Sequence, residues 1–305
     1  MVKIAVLASF NMDLVMRAER RPAAGETLQG EFAMFLGGKG FNQAVAARRL
    51  GAKVVVAGRV GDDEFGRLFL AALDREDIDR RAVVVDSATG TGVASIIVEP
   101  DGTNTILQDP RANRNVTAVD FARASELMLG ADVAMLQLET ADDAVKVFAS
   151  AARTSGCKVM LNPAPARAVA RYILKLIDVI VPNEIEARAL TGRAVSTVDE
   201  AFAAAEALLL DGPTVAVVTR GDRGAIGVSA GMRVADSAFE VVAIDTVGAG
   251  DAFCAALAIS MAEGCELARA VRFANAAGAL ACTKQGAEPS MPYRHEVEEL
   301  LAERG

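Results

Sequence analysis

The chain has 305 residues, 52% of them hydrophobic, with a formal net charge of −8. That length is enough for one large α/β domain or two modest ones with an extensive core, and the acidic balance argues against nonspecific binding to nucleic acid or an anionic membrane. No apolar run approaches bilayer length and Met1-Val2-Lys3 leads directly into a strand, so neither a membrane anchor nor a signal peptide is expected. Cys157, Cys254, Cys265 and Cys282 stand apart in apolar contexts, as buried thiols in a reducing cytoplasm would, and suggest neither a zinc site nor a disulfide framework.

In chain order, Ile4 to Ala8 reads as the first strand. Ser9 to Asp13 follows it, where α/β proteins place ligands; Asn11 and Asp13 suit a polyol, although an Asx turn would also explain them. Thr27 to Phe35 reads as a strand outside the βα rhythm, and Thr91 to Gln108 as two more, folded back at Pro100-Asp101-Gly102. Together they predict a small antiparallel sheet that covers a cleft, pairs with another subunit, or is structural padding. Between these segments, Leu36 to Gln43 carries three glycines, Lys39 and Asn42, and enters the helix Gln43 to Leu50, which stops at Gly51. It lacks the glycine frame of a P-loop, and a glycine-rich helix entry with a solvent lysine accounts for it equally.

The remaining strands, Val54 to Ala57, Val133 to Leu136, Val159 to Leu161, Val179 to Val181 and Val215 to Val218, are short and free of polar alternation. They predict a buried parallel sheet, and the helices Asp142 to Ala152 and Asp199 to Leu210 supply its crossovers. Near the C-terminus, Val241 to Ile244 reads as a strand, Ala252 to Ile259 as a buried helix, and Ala268 to Cys282 and Arg294 to Glu303 as further helices. His295, the only histidine, is expected at the surface with no catalytic part. No internal repeat or linker divides the chain, so 1–305 reads as one domain, with lid segments at about 12–36 and 91–109 inserted in it.

The heptapeptide Asp245-Thr246-Val247-Gly248-Ala249-Gly250-Asp251 places glycines at a helix start and a carboxylate in its first turn. Free backbone N–H groups and the helix dipole favour a phosphate there, and Asp251 is placed to take a proton from an attacking hydroxyl. An ordinary βα turn with an N-terminal aspartate explains the same residues when they are taken alone.

Gly37-Gly38-Lys39-Gly40-Phe41-Asn42 followed by Asp245 to Asp251 resembles the paired signatures of the ribokinase family of pfkB-type carbohydrate kinases. Asn11-Met12-Asp13, Asn162 to Arg167, Pro182 to Glu186 and Gly286 to Ser290 extend that resemblance nearly end to end. It implies a three-layer α/β/α domain with a mostly parallel central sheet, a β-sheet lid, and transfer of the ATP γ-phosphoryl group to a sugar hydroxyl. The expected hydroxyl is the one on carbon five of ribose; a nucleoside or another pentose or hexose is the alternative acceptor, and a catalytically silent sugar-binding regulator the alternative class.

Carried over by position, the resemblance implies that Asp251 is the base, with Gly248, Ala249 and Gly250 forming the anion hole. Asn11, Asp13, Gly38, Lys39, Asn42 and Glu139 would hold sugar, and Asn183, Glu186, Thr219, Gly221, Gly224, Gly250 and Asn275 would serve ATP and Mg²⁺. A helix cap explains Asn183 and Glu186 without a nucleotide, a hairpin turn explains Thr219 to Gly224, and a polar residue satisfied within a helix explains Asn275. Asp245, Val247, Ala281, Lys284, Gly286 and Ser290 would hold K⁺, mostly through carbonyls. The lid strands would also pair two subunits as a homodimer, since exposed β edges otherwise invite uncontrolled association. Met12, Phe41 and the run Asp109 to Asn113 depart from the family pattern; they either repack behind the sugar pocket or admit a different acceptor.

Overall fold

The computed structural model describes residues 1–100, 102–117, 120 and 126–304. Its strands are β1 (Lys3–Leu7), β2 (Asn11–Arg17), β3 (Glu31–Gly37), β4 (Lys53–Gly61), β5 (Asp79–Asp86), β6 (Gly92–Val98) and β7 (Asn104–Asp109). Then follow β8 (Val133–Leu136), β9 (Lys158–Leu161), β10 (Val179–Ile180), β11 (Val215–Thr219), β12 (Ala225–Ser229) and β13 (Met232–Asp236). The large sheet runs β13-β12-β11-β10-β9-β8-β1-β4-β5, and all its pairings are parallel except β11 with β12 and β12 with β13.

Successive residues of the central strands face opposite layers. Ile4, Val6 and Ala8 join one apolar cluster, with the helices Lys39–Arg49, Ala249–Ala262 and Leu267–Ala281. Ala5 and Leu7 join the other, with the helices Asp142–Thr154 and Val198–Leu209. Burial on both faces is why these strands read as unbroken apolar runs. Because β1 pairs with β4 on one side and β8 on the other, the strand order reverses there, and the crevice beyond its carboxyl end is the ligand position of an open α/β sheet.

The second sheet, β3-β2-β6-β7, stands over that crevice. It is mixed, not antiparallel as expected: β2 runs parallel to β6, while β2 with β3 and β6 with β7 are antiparallel. The parallel pair arises because β2 and β6 each leave the large sheet in the same direction, after β1 and β5. The β6–β7 hairpin forms, although its turn residue Asp101 lies outside the described residues.

Four further expectations need correction. Val241 to Ile244 is no strand: it is irregular and pairs with no strand, with Val242 85% and Ile244 67% exposed. Asn11 to Asp13 is no loop but the start of β2, and the third strand begins at Glu31, not Thr27. The Lys39–Arg49 helix starts four residues earlier than Gln43, with Gly38 as its N-cap, so most of the glycine motif is helix.

Candidate active site

Two cavities meet over the N-terminus of the Ala249–Ala262 helix. One, of about 610 Å³, lies between the sheets and is lined by Asn11, Asp13, Gly38, Lys39, Asn42, Glu139, Gly248 and Asp251. All six expected sugar contacts, together with Asp251, are therefore gathered in one place. The other, of about 530 Å³, is lined by Thr219, Gly221, Gly224, Ala249, Gly250, Phe253 and Asn275. Ala243 and Thr246 border both, so the loop before the helix is a common wall.

Backbone geometry brings the first group together. The helix Lys39–Arg49 abuts the end of β1 so closely that a Cβ on Gly40 would lie 2.6 Å from Ala8 Cα. That approach seats Ser9 Oγ, which accepts from Gly40 N at 3.1 Å and donates to Glu139 Oε2 at 2.6 Å. Glu139 Oε2 also accepts from Lys39 N at 2.8 Å, so the carboxylate caps the sugar motif's backbone while facing the cavity. Asn11 is oriented by Asn113, whose amide donates to Asn11 Oδ1 and to Phe10 O, both at 3.0 Å. Asn11 Nδ2 and Asn42 Oδ1 are buried without a partner, an unused donor and an unused acceptor on residues that line the cavity.

Asp251 is 5% exposed and accepts from Asn42 Nδ2 at 3.0 Å and from Gln43 Nε2 at 3.1 Å. Burial pushes its pKa up, while Lys39 and the two amide donors pull it down; the net direction is upward. Burial likewise raises Asp13, assisted by the negative charges of Glu139 and Asp251, to about 7. Lys39 is opposed by burial, yet Asp251, Glu139 and Glu186 hold its pKa above the ordinary value, so one cation stands among several carboxylates.

The helix N-terminus offers donors. Ala249 N reaches Thr246 O at 3.3 Å and Asp251 N reaches Gly248 O at 3.0 Å, whereas Gly248 N and Gly250 N have no partner among the described residues. Nothing lies within 4 Å of a Cβ built on Gly250, which leaves its backbone open toward the second cavity. The N–H groups left free to meet an anion are therefore those of Gly248 and Gly250, with Ala249 already engaged.

The nucleotide-side residues divide. Thr219, Gly221, Gly224, Gly250 and Asn275 line the second cavity, where Thr219 to Gly224 is also the turn between β11 and β12. Asn275 Nδ2 donates to Asp236 Oδ2 at 2.7 Å and to Asp236 O at 3.2 Å, anchoring the end of β13 beside that cavity. Asn183 and Glu186 line neither cavity; they form a reciprocal capping box on the helix Glu184–Thr191, with Glu186 Oε2 accepting from Asn183 N at 2.8 Å. Burial raises Glu186, opposed by Asn183 N–H and Lys39. Among the described residues no group of three His, Cys, Asp or Glu side chains is placed to hold a metal ion.

Of the six positions expected around a monovalent cation, some are drawn together. Asp245 accepts from Val247 N at 3.1 Å and from Gly286 N at 3.0 Å, drawing two of the expected positions around one carboxylate. Ser290 Oγ is buried and donates to Ala287 O, keeping its own lone pairs, and Ala281 closes the Leu267–Ala281 helix at its negative pole. The Lys284 ammonium turns away to Glu296 Oε1 at 2.8 Å, so only its backbone belongs to this set.

Gln43, Gln137, Asn113 and Ser9 were not singled out as site residues, yet they orient Asp251, Asn11 and Glu139. Gln43 directly follows the Gly37 to Asn42 motif, the one local signal in the sequence that points to it. Of the departures from the family pattern, Met12 and Phe41 are fully buried behind the cavity wall, and neither lines it. Phe41 packs edge-on against Phe69 at 4.9 Å and lies 6.1 Å from Phe10.

Comparison with known proteins shows the family and the fold. The pfkB family carbohydrate kinase pattern matches residues 1–294. The chain is 38% identical over 304 residues to a ribokinase of Bacillus subtilis, covering 99% of this chain and 100% of that protein. It is 36% identical over 301 residues to a deoxyribokinase of Salmonella typhi, with 98% of each covered. The structure of Arabidopsis thaliana ribokinase complexed with ribose and ATP superposes with a TM-score of 0.92 at 31% identity, covering 99% of each chain.

Proposed function

The chain belongs to the pfkB family of carbohydrate kinases, and from that premise we propose that it transfers the γ-phosphoryl group of ATP to the carbon-five hydroxyl of D-ribose. The observation that carries this reading is the placement of Asp251 on the acceptor cavity and its neighbour Gly250 on the other, across a shared wall. A hydroxyl held by Asn11, Asp13 and Asn42 gives its proton to Asp251 as it attacks, and the developing charge falls on the free N–H groups of Gly248 and Gly250. Lys39 offsets the carboxylates around it and so lets an anionic phosphoryl group approach.

Mg²⁺, when bound with ATP, neutralises phosphate charge; Asn183 and Glu186 would act on it through water while keeping their capping role. K⁺ beside Asp245 and Gly286 would hold the loop before the anion hole in place. The chain works as one unit, with β2, β3, β6 and β7 as lid. Phe32, Met34 and Leu107, none of which lines the acceptor cavity, are exposed on that sheet, which supports pairing of two lids in a homodimer. The four free cysteines suit a cytoplasmic enzyme.

The 36% identity to a deoxyribokinase supports one second reading, deoxyribose as acceptor. ADP release is to be followed over ribose, deoxyribose, fructose and nucleosides, with and without K⁺. Ribose giving the highest kcat/KM supports the proposal, and deoxyribose or a nucleoside outrunning it replaces the acceptor. Sugar binding without stimulated turnover by any acceptor would make the chain a binding regulator.

A further inference from the structure

Phe35 stands on β3 two residues before Gly37, directly opposite Asp13 in the β2–β3 pairing. On one side its ring lines the acceptor cavity. On the other it meets the segment that braces the phosphate-site loop: a Cβ built on Gly286 would lie 2.5 Å from Phe35 Cδ1 and 2.8 Å from Cε1. Gly286 has φ +79°, so a glycine is needed there both for the backbone and for the ring to close upon it. Arg17 of β2 reaches the same segment, where the Gln285 amide, turned to satisfy both its ends, accepts from Arg17 Nη2 at 2.7 Å.

From Gly286 the contacts run to the helix. Its N–H donates to Asp245 Oδ2 at 3.0 Å, Asp245 Oδ1 accepts from Val247 N at 3.1 Å, and Gly248 next in sequence caps the Ala249–Ala262 helix. The far side of the segment is fixed by Arg49, whose Nη1 donates to Glu288 O at 2.9 Å and Met291 O at 3.0 Å. Met291 in turn packs on the cap, its Cε 2.5 Å from where a Gly248 Cβ would be. Residues 286–291 are thus held between a rigid anchor and a ring that belongs to the lid.

We propose that Phe35 is a positioning residue: it couples the seating of the lid over a bound acceptor, through Gly286 and Asp245, to the helix N-terminus that receives the phosphoryl charge. The proposal rests on the kinase reading above. A ring that only walls the cavity would affect acceptor affinity, whereas a ring that acts through Asp245 affects the chemical step, and only while Asp245 is intact.

The test is a double-mutant cycle of Phe35→Ala with Asp245→Asn, using the acceptor of highest turnover. We expect Phe35→Ala to lower kcat roughly tenfold with calorimetric acceptor affinity within about threefold, and to cost less than about twofold more once Asp245→Asn is present. Phe35→Leu, which keeps part of the apolar contact with Gly286, carries the same cycle if the alanine variant fails to fold: it is expected to lower kcat about fourfold alone and less than about 1.5-fold once Asp245→Asn is present. Multiplying effects in the double variant, or a loss confined to acceptor affinity, overturns the proposal while leaving the kinase reading intact. A native chain that turns over no acceptor overturns both, and that result is seen before any variant is made.

Discussion

Asn42 Nδ2 lies 3.0 Å from Asp251 Oδ2, joining on one carboxylate two glycine-rich motifs that stand 209 positions apart. The bond fixes the carboxylate's orientation and leaves lone pairs on both oxygens for a substrate proton. Asp251→Asn keeps the shape and removes the base. Turnover is expected to fall by roughly two orders of magnitude or more, with sugar and ATP affinities nearly unchanged. Steady-state ADP release together with calorimetric binding checks this, and near-normal turnover in the variant would remove Asp251 from the mechanism.

Gln43 gives a sharper test of how that base is tuned. Its Nε2 donates to Asp251 Oδ1 at 3.1 Å, and its Oε1 accepts from Gln137, so the amide cannot turn without breaking a second bond. Donation to the charged form lowers the Asp251 pKa against the upward push of burial. A hydrogen bond to a charged group contributes about 1.5 kcal/mol or more, so Gln43→Met should move the acid limb of the kcat/KM profile up by about one pH unit. A pH–rate profile superimposable on the native one would show that Gln43 only fills space.

The parts legible in the sequence were those set by local pattern. Strands buried on both faces have to be apolar throughout, and glycine next to a helix start has few uses, so the central strands and both motifs stood out. What escaped was decided by distant neighbours. Val241 to Ile244 has a strand's composition but finds no strand beside it, and Asn11 to Arg17 is a strand because β3 and β6 flank it. Asn183 and Glu186 form the helix cap that their Asn-x-x-Glu spacing allows, a contact that is compatible with a further part in nucleotide binding. Gln137 and Asn113 reach the site only through contacts that span 94 and 102 positions, and no local pattern announces such a pair.

Asp13 makes the unliganded protein sensitive to pH. Burial, with Glu139 and Asp251 nearby, raises its pKa from 3.8 to about 7, so the folded chain holds this proton more tightly than the unfolded chain. The stability so contributed is complete below the unfolded value and is lost as pH rises through the folded one. Asp13→Asn should therefore raise the melting temperature by several degrees at about pH 8 and by clearly less at about pH 5, where only part of that stability has been lost. Sugar hydroxyls that donate to Asp13 favour its charged form, so binding near neutrality should release protons and weaken in acid. Calorimetry in buffers of different ionisation enthalpy measures this, and zero proton release near pH 7 would mean that Asp13 is already ionised in the free enzyme.

Gly248 and Gly250 are one residue apart and should fail in different ways. Gly248 has φ +82° and a Cβ there would lie 2.5 Å from Met291 Cε, so Gly248→Ala combines a left-handed alanine with a clash and should cost about 1–3 kcal/mol of stability. Gly250 is helical and has nothing within 4 Å of its Cβ direction, so Gly250→Ala should fold as well as the native chain and gain up to about 1 kcal/mol of helix propensity. Its methyl, however, would stand at the wall of the nucleotide cavity, where the proposed phosphoryl group passes, and displace it from the free N–H groups. A displacement of that size should lower kcat/KM for ATP roughly tenfold to a hundredfold. Thermal denaturation separates the two variants, and activity settles the second: a stable Gly250→Ala enzyme with native kcat/KM for ATP would place the phosphoryl path elsewhere than over this helix.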